Sequence, residues 1–73
     1  MNIVWSRQGC AYCDMAKNLL DQKGVEYEVK MIGEGYTTND LLESVPSARS
    51  VPQIILNDTL IGGFKELKEH FNL

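Results

Sequence analysis

Two cysteines, Cys10 and Cys13, stand two residues apart between a short apolar run, Ile3-Val4-Trp5, and a stretch of helical periodicity. This junction constrains the fold more than any other feature. A strand must end and a helix must begin within a few residues, with one sulfur at the helix N-terminus and the other inside its first turn. A disulfide there closes too short a loop to restrain the unfolded chain much, so a staple is the weak reading. The chemical reading is stronger, because partial positive charge at a helix start favours a thiolate and a second thiol stands ready to resolve a mixed disulfide. The alternative is half of a zinc site. Zinc takes four ligands, and the only other soft candidate is His70, so a closed site would need a second chain. An inert pair would need apolar surroundings, against which Arg7, Gln8 and Tyr12 argue.

With 73 residues the chain is expected to form one domain, 1–73, near the size at which a single core just holds together. A net charge of −3 argues against nucleic acid or an anionic membrane as partner. No apolar run is long enough to span a bilayer, and Met1-Asn2-Ile3-Val4-Trp5 does not read as a signal peptide. A cytoplasmic monomer is expected. In that reducing compartment a cysteine pair is more often catalytic than structural.

Periodicity sets the order of elements. A helix is expected from Cys13 to Lys23, with Met15, Ala16, Leu19 and Leu20 on one face and Gly24 stopping it. Val25, Tyr27, Val29 and Met31 alternate with Glu26, Glu28 and Lys30, as in an edge strand with one wetter face. Thr37 and Asp40 are spaced as a capping box for a short helix through Leu41, Leu42 and Val45, ended by Pro46. Gln53 to Leu56 reads as a buried strand, Asn57-Asp58 as a tight turn, and Thr59-Leu60-Ile61 as the antiparallel return. After Gly62-Gly63, Phe64, Leu67 and Phe71 mark a final amphipathic helix. The expected class is α/β, in the order β-α-β-α-β-β-α around a four-stranded mixed sheet flanked by three helices.

This order, with a dithiol between the first strand and the first helix, resembles the thioredoxin fold in its smallest form, and the residues resemble glutaredoxins. Arg7 stands three residues before the first cysteine, where glutaredoxins usually carry Lys or Arg. Cys10-Ala11-Tyr12-Cys13 resembles their Cys-Pro-Tyr-Cys, Ser50-Val51-Pro52 resembles Thr-Val-Pro, and Gly62-Gly63 matches their paired glycines. Ala11 departs from the usual Pro. Phe64-Lys65-Glu66 departs from the usual aromatic or Cys, small polar or acidic residue, and Asp.

The resemblance implies a glutathione-dependent thiol-disulfide oxidoreductase needing no metal, with glutathione as reductant and co-substrate. Cys10 would be the nucleophile and Cys13 the resolving thiol. Arg7 would meet the glycine carboxylate of glutathione, Tyr12 would flank the tripeptide, and Ser50, Val51 and a cis Pro52 would present backbone to it. Gly62, Gly63, Phe64 and Lys65 would receive the γ-glutamyl end. Implied protein partners are disulfide or glutathionylated substrates, with ribonucleotide reductase one frequent client. Three rival readings stay open: a redoxin served by thioredoxin reductase, a glutathione-ligated iron-sulfur carrier, and a non-catalytic binding module. His70 is assigned no catalytic role, and Trp5 is expected in the core beside the cysteines.

Overall fold

The structure, a computed structural model, describes all 73 residues. Strand β1 (Ile3–Arg7) leads into helix α1 (Ala11–Gln22), followed by β2 (Glu28–Ile32), α2 (Thr38–Ser44), β3 (Gln53–Leu56), β4 (Thr59–Gly62) and α3 (Phe64–His70). The sheet order is β2-β1-β3-β4, with β1 parallel to β2 and antiparallel to β3, and β3 paired with β4 as a hairpin. The hairpin turns on Asn57 and Asp58, both at positive φ as a two-residue turn of this hand requires. This is the expected mixed sheet with three helices.

Two apolar clusters cover the two faces of the sheet. Val4, Ile54 and Leu56 pack with Ala16, Leu19 and Leu20 of α1 and Leu67 of α3, so both helices lie on one face. Trp5 packs with Ile32, Leu41 and Val45, which places α2 on the other. The alternation of Val4 and Trp5 along β1 feeds one residue to each cluster. Trp5 is core as expected, but it lies on the α2 face, whereas Cys13 belongs to α1 on the other. Trp5 meets the Tyr36 ring edge-on at 5.5 Å, and the Lys30 ammonium sits 5.2 Å from its ring centroid.

Helix ends follow their local chemistry. Thr37 caps α2 through its hydroxyl, which accepts from Asp40 N–H at 3.1 Å, while the Asp40 carboxylate accepts from Thr37 N–H at 2.8 Å. At the end of α1, Gly24 N–H bonds Asp21 C=O and Val25 N–H bonds Leu20 C=O, a double closure that needs the positive φ of Gly24.

Three boundaries differ from the sequence expectation. Helix α1 starts at Ala11 rather than Cys13, because the Cys10 side chain, not a residue further on, receives the first-turn amide. Strand β1 runs on to Arg7, since β2 pairs with it that far. Strand β2 begins only at Glu28, where its amide reaches Asn2 C=O, and the residue it buries is Ile32 while Val29 is exposed. Tyr27 is drawn away from the ladder toward α1, its hydroxyl donating to Asp21 Oδ1 at 2.9 Å and lying 3.3 Å from Lys17 C=O.

Burial first, and then the hydrogen bond and charge of Asp21, push the Tyr27 phenol up to about 12. An unfolded tyrosine titrates near 10, so the stability gained by keeping Tyr27 protonated is complete below about pH 10 and is lost as pH rises toward about 12. Denaturant midpoints measured through that window should fall less steeply for Tyr27→Phe than for the parent. Equal slopes would contradict the assignment.

Candidate active site

The site is built where β1 stops and α1 starts. Cys10 is the N-cap of α1, in extended conformation, and its Sγ accepts the Cys13 N–H at 3.1 Å. The two cysteines are joined as a disulfide, with Cα atoms 5.2 Å apart, an ordinary separation for a bridge. Their environments differ sharply. Cys13 is wholly buried, whereas Cys10 is half-buried at the rim. Asymmetry of that kind leaves one sulfur open to attack and keeps the other behind it.

From the opposite side of the sheet end comes the loop between α2 and β3. The Val51-Pro52 peptide is cis, and the Val51 carbonyl oxygen lies 3.8 Å from Cys10 Sγ. Val51 lies outside the ladders, and its N–H makes no hydrogen bond within the chain. An open concavity of about 670 Å³ begins beside this loop. Tyr12, Ser50, Val51, Pro52, Gly63, Phe64 and Lys65 all line it, joined by Met15, Glu66 and Lys68. The Tyr12 and Phe64 rings face each other across its wall, 6.1 Å apart.

Four of the expected residues stand outside that lining: both cysteines, Arg7 and Gly62. Arg7 ends β1 as an exposed guanidinium, and no carboxylate is paired with it. Gly62 ends β4 at φ +118, and a Cβ there would come within 3.0 Å of the Glu66 side chain. The glycine requirement at position 62 is set first by this backbone conformation, and the Glu66 side chain crowds the same space. That same carboxylate accepts the Gly63 N–H at 2.8 Å, so the amide preceding α3 is already engaged.

Three features escaped the sequence reading. Glu66 looks like any surface acid until Gly63 is known to be the N-cap three residues earlier. Arg49 adds an exposed and unpaired cation two residues before Val51, and Gln8 donates to Glu34, tying the cysteine loop to the turn after β2. No group of three or more His, Cys, Asp or Glu side chains converges as a metal site would need.

A four-stranded mixed sheet with a cysteine pair capping the first helix, opposite a cis-proline loop, defines a thioredoxin-fold dithiol protein. A family model described as Glutaredoxin matches residues 2–61. The mitochondrial glutaredoxin-2 of Bos taurus is 39% identical over 64 residues, covering 84% of this chain and 41% of that protein. A glutaredoxin of Haemophilus influenzae is 34% identical over 82 aligned positions, covering 97% and 94%. The crystal structure of a buckwheat glutaredoxin-glutathione complex superposes with a TM-score of 0.84 at 27% identity, over 97% of this chain and 67% of that one. The chain belongs to the glutaredoxin family, and it spans less than half the length of the mitochondrial relatives it matches. Membership implies thiol-disulfide oxidoreductase chemistry for the matched region.

Ala11 occupies the first helical position, whose amide has no partner within the helix, and this is where proline fits best. Ala11→Pro should therefore raise stability by about 0.4–1 kcal/mol, through a less flexible unfolded chain. Urea unfolding of the oxidised forms measures it. A loss of stability would show that the turn is not the relaxed helix start described.

Proposed function

We propose that this protein is a glutathione-dependent thiol-disulfide oxidoreductase in which Cys10 attacks and Cys13 resolves. The observation that carries the reading is the Cys13 amide aimed at Cys10 Sγ at 3.1 Å. A charge-assisted bond of that kind is stronger to a thiolate than to a neutral sulfur, so it favours ionisation of Cys10, with the helix start and Arg7 acting in the same direction. Cys13, buried one turn inside, is the poorer nucleophile and the natural second sulfur.

The chemistry is two consecutive exchanges. Cys10 thiolate attacks the glutathione sulfur of a glutathionylated substrate, the substrate thiolate leaves and takes a proton, and Cys10 carries the glutathione. A second glutathione thiolate attacks that adduct, releasing glutathione disulfide and regenerating the Cys10 thiolate. With a protein disulfide, Cys10 instead carries one substrate sulfur until Cys13 attacks the Cys10 sulfur and displaces the substrate thiolate. The substrate leaves as a dithiol, and two glutathiones then reduce the Cys10-Cys13 bridge.

Several features support glutathione as the ligand. The concavity falls within the range of small-molecule sites, and Val51 offers a free N–H and a C=O to an extended peptide backbone, as an added strand would use them. Tyr12 and Phe64 form an apolar wall. Arg7 and Lys65 are unpaired cations for the two carboxylates of the tripeptide, and the buckwheat relative was solved as a glutathione complex. Because Glu66 holds the Gly63 amide, Lys65 rather than that amide is assigned to the γ-glutamyl carboxylate. We place the protein in a reducing, cytoplasm-like compartment, where glutathione keeps the dithiol charged.

NADPH consumption on a glutathione mixed disulfide, coupled through glutathione and glutathione reductase, tests the proposal. Coupling through thioredoxin reductase alone would refute it. In the same assay Cys10→Ser should abolish turnover, while Cys13→Ser should retain removal of glutathione but lose much of the reduction of protein disulfides. The reverse pattern would exchange the two roles. Arg7→Ala should raise the KM for the glutathione substrate roughly two- to fivefold, the size of an exposed ion pair, and added salt should shrink the difference. An unchanged KM would remove Arg7 from the site.

A further inference from the structure

From Arg49 to Pro52 no backbone group bonds to another backbone group, and this is the segment whose Val51 carbonyl faces Cys10. A side chain supplies the missing tie. The Gln53 amide donates through Nε2 to the Ser50 carbonyl oxygen at 2.9 Å. Gln53 opens β3 as the register partner of Trp5, so its side chain stands on the α2 face of the sheet, against whose apolar cluster Val51 also packs.

The Ser50 carbonyl and the Val51 N–H are the two ends of one trans peptide. They lie in one plane and point in opposite directions, and the plane turns only through ψ of Ser50 and φ of Val51. A bond that fixes the carbonyl therefore fixes the N–H on the other side. That N–H has no partner within the chain, and Ser50 and Val51 both line the concavity beside the cysteines. The same bond draws electron density toward the carbonyl oxygen, which makes the N–H of that amide a better donor.

We propose that Gln53 is a positioning residue for substrate recognition: by holding the Ser50 carbonyl it aims the Val51 N–H at the backbone of a peptide-bearing disulfide. The inference rests on the reading of Val51 as the backbone partner of glutathione. Gln53 acts through the Ser50-Val51 peptide and forms no bond to either cysteine. Because the recognised group is an amide, a disulfide that carries none gains nothing from it.

The test compares second-order rates of the reduced protein with glutathione disulfide, which contains peptide bonds, and with bis(2-hydroxyethyl) disulfide, which contains none. Gln53→Met keeps the length of the side chain and removes the donor. It should lower the ratio of the first rate to the second by about two- to tenfold, the weight of one hydrogen bond. A general loss of structure would slow both reactions and leave the ratio at the parent value. A second measurement needs no variant: hydrogen exchange of the Gln53 side-chain amide should be slower than that of the exposed Gln22. A parent preference for glutathione disulfide that Gln53→Met retains in full, or a Gln53 amide exchanging as fast as that of Gln22, would overturn the proposal alone. A parent that reacts with both disulfides alike would overturn the glutathione reading and this proposal with it.

Discussion

Helix α1 begins on a sulfur atom. Where most helices are opened by a hydroxyl or carboxylate, here Cys10 Sγ receives the amide three residues on, at 3.1 Å. Neutral sulfur is a weak acceptor and a thiolate is a strong one, so the bond that starts the helix is strongest when that sulfur is charged. The helix does not rely on it alone. Ala16, Leu19 and Leu20 hold α1 against the sheet, and the double closure at Gly24 secures its far end. Packing fixes the helix, which leaves the capping sulfur free to change its chemical state.

Everything else at the site is placed by the central pair of strands. β1 brings the cysteine loop to one end of the sheet, and β3, antiparallel to it, starts at that same end just after Pro52. The Val51 carbonyl and the Cys10 sulfur therefore face each other across adjacent strands, although 41 residues separate them in sequence. The third wall follows from the hairpin. β4 returns beside β3 and hands the chain to α3, whose Phe64 meets Tyr12 of α1. Three segments far apart in sequence are thus gathered without any loop having to be long.

Much of this was legible from residues alone. The Cys10 and Cys13 spacing, the Thr37 and Asp40 cap, the Asn57-Asp58 turn and the stripe of Phe64, Leu67 and Phe71 are local signals, and each element formed near where they point. The misreadings came where a distant partner decides. Val25 and Tyr27 alternate as a strand should, yet Tyr27 is held by α1 and the ladder waits for Asn2, so β2 is shorter than its pattern. Lys30 counted as wet, but its ammonium rests on Trp5 and Tyr36. Glu66 carries no local mark of its bond to Gly63, nor Gln53 of its bond to Ser50.

The position of β1 between β2 and β3 has a consequence for how the molecule comes into being. β1 precedes both of its neighbours in the chain, and its second edge is filled only by the pairing of Ile3 with Ile55 and Val4 with Ile54. Contacts between such distant residues form slowly, because a long stretch of chain must be ordered before they repay its entropy. On the ribosome, the strand and helix that carry both thiols emerge well before β3 does. During that interval Cys13 has no finished core to cover it. The sheet on which α1 rests is thus complete only once the late-made β3 has joined it.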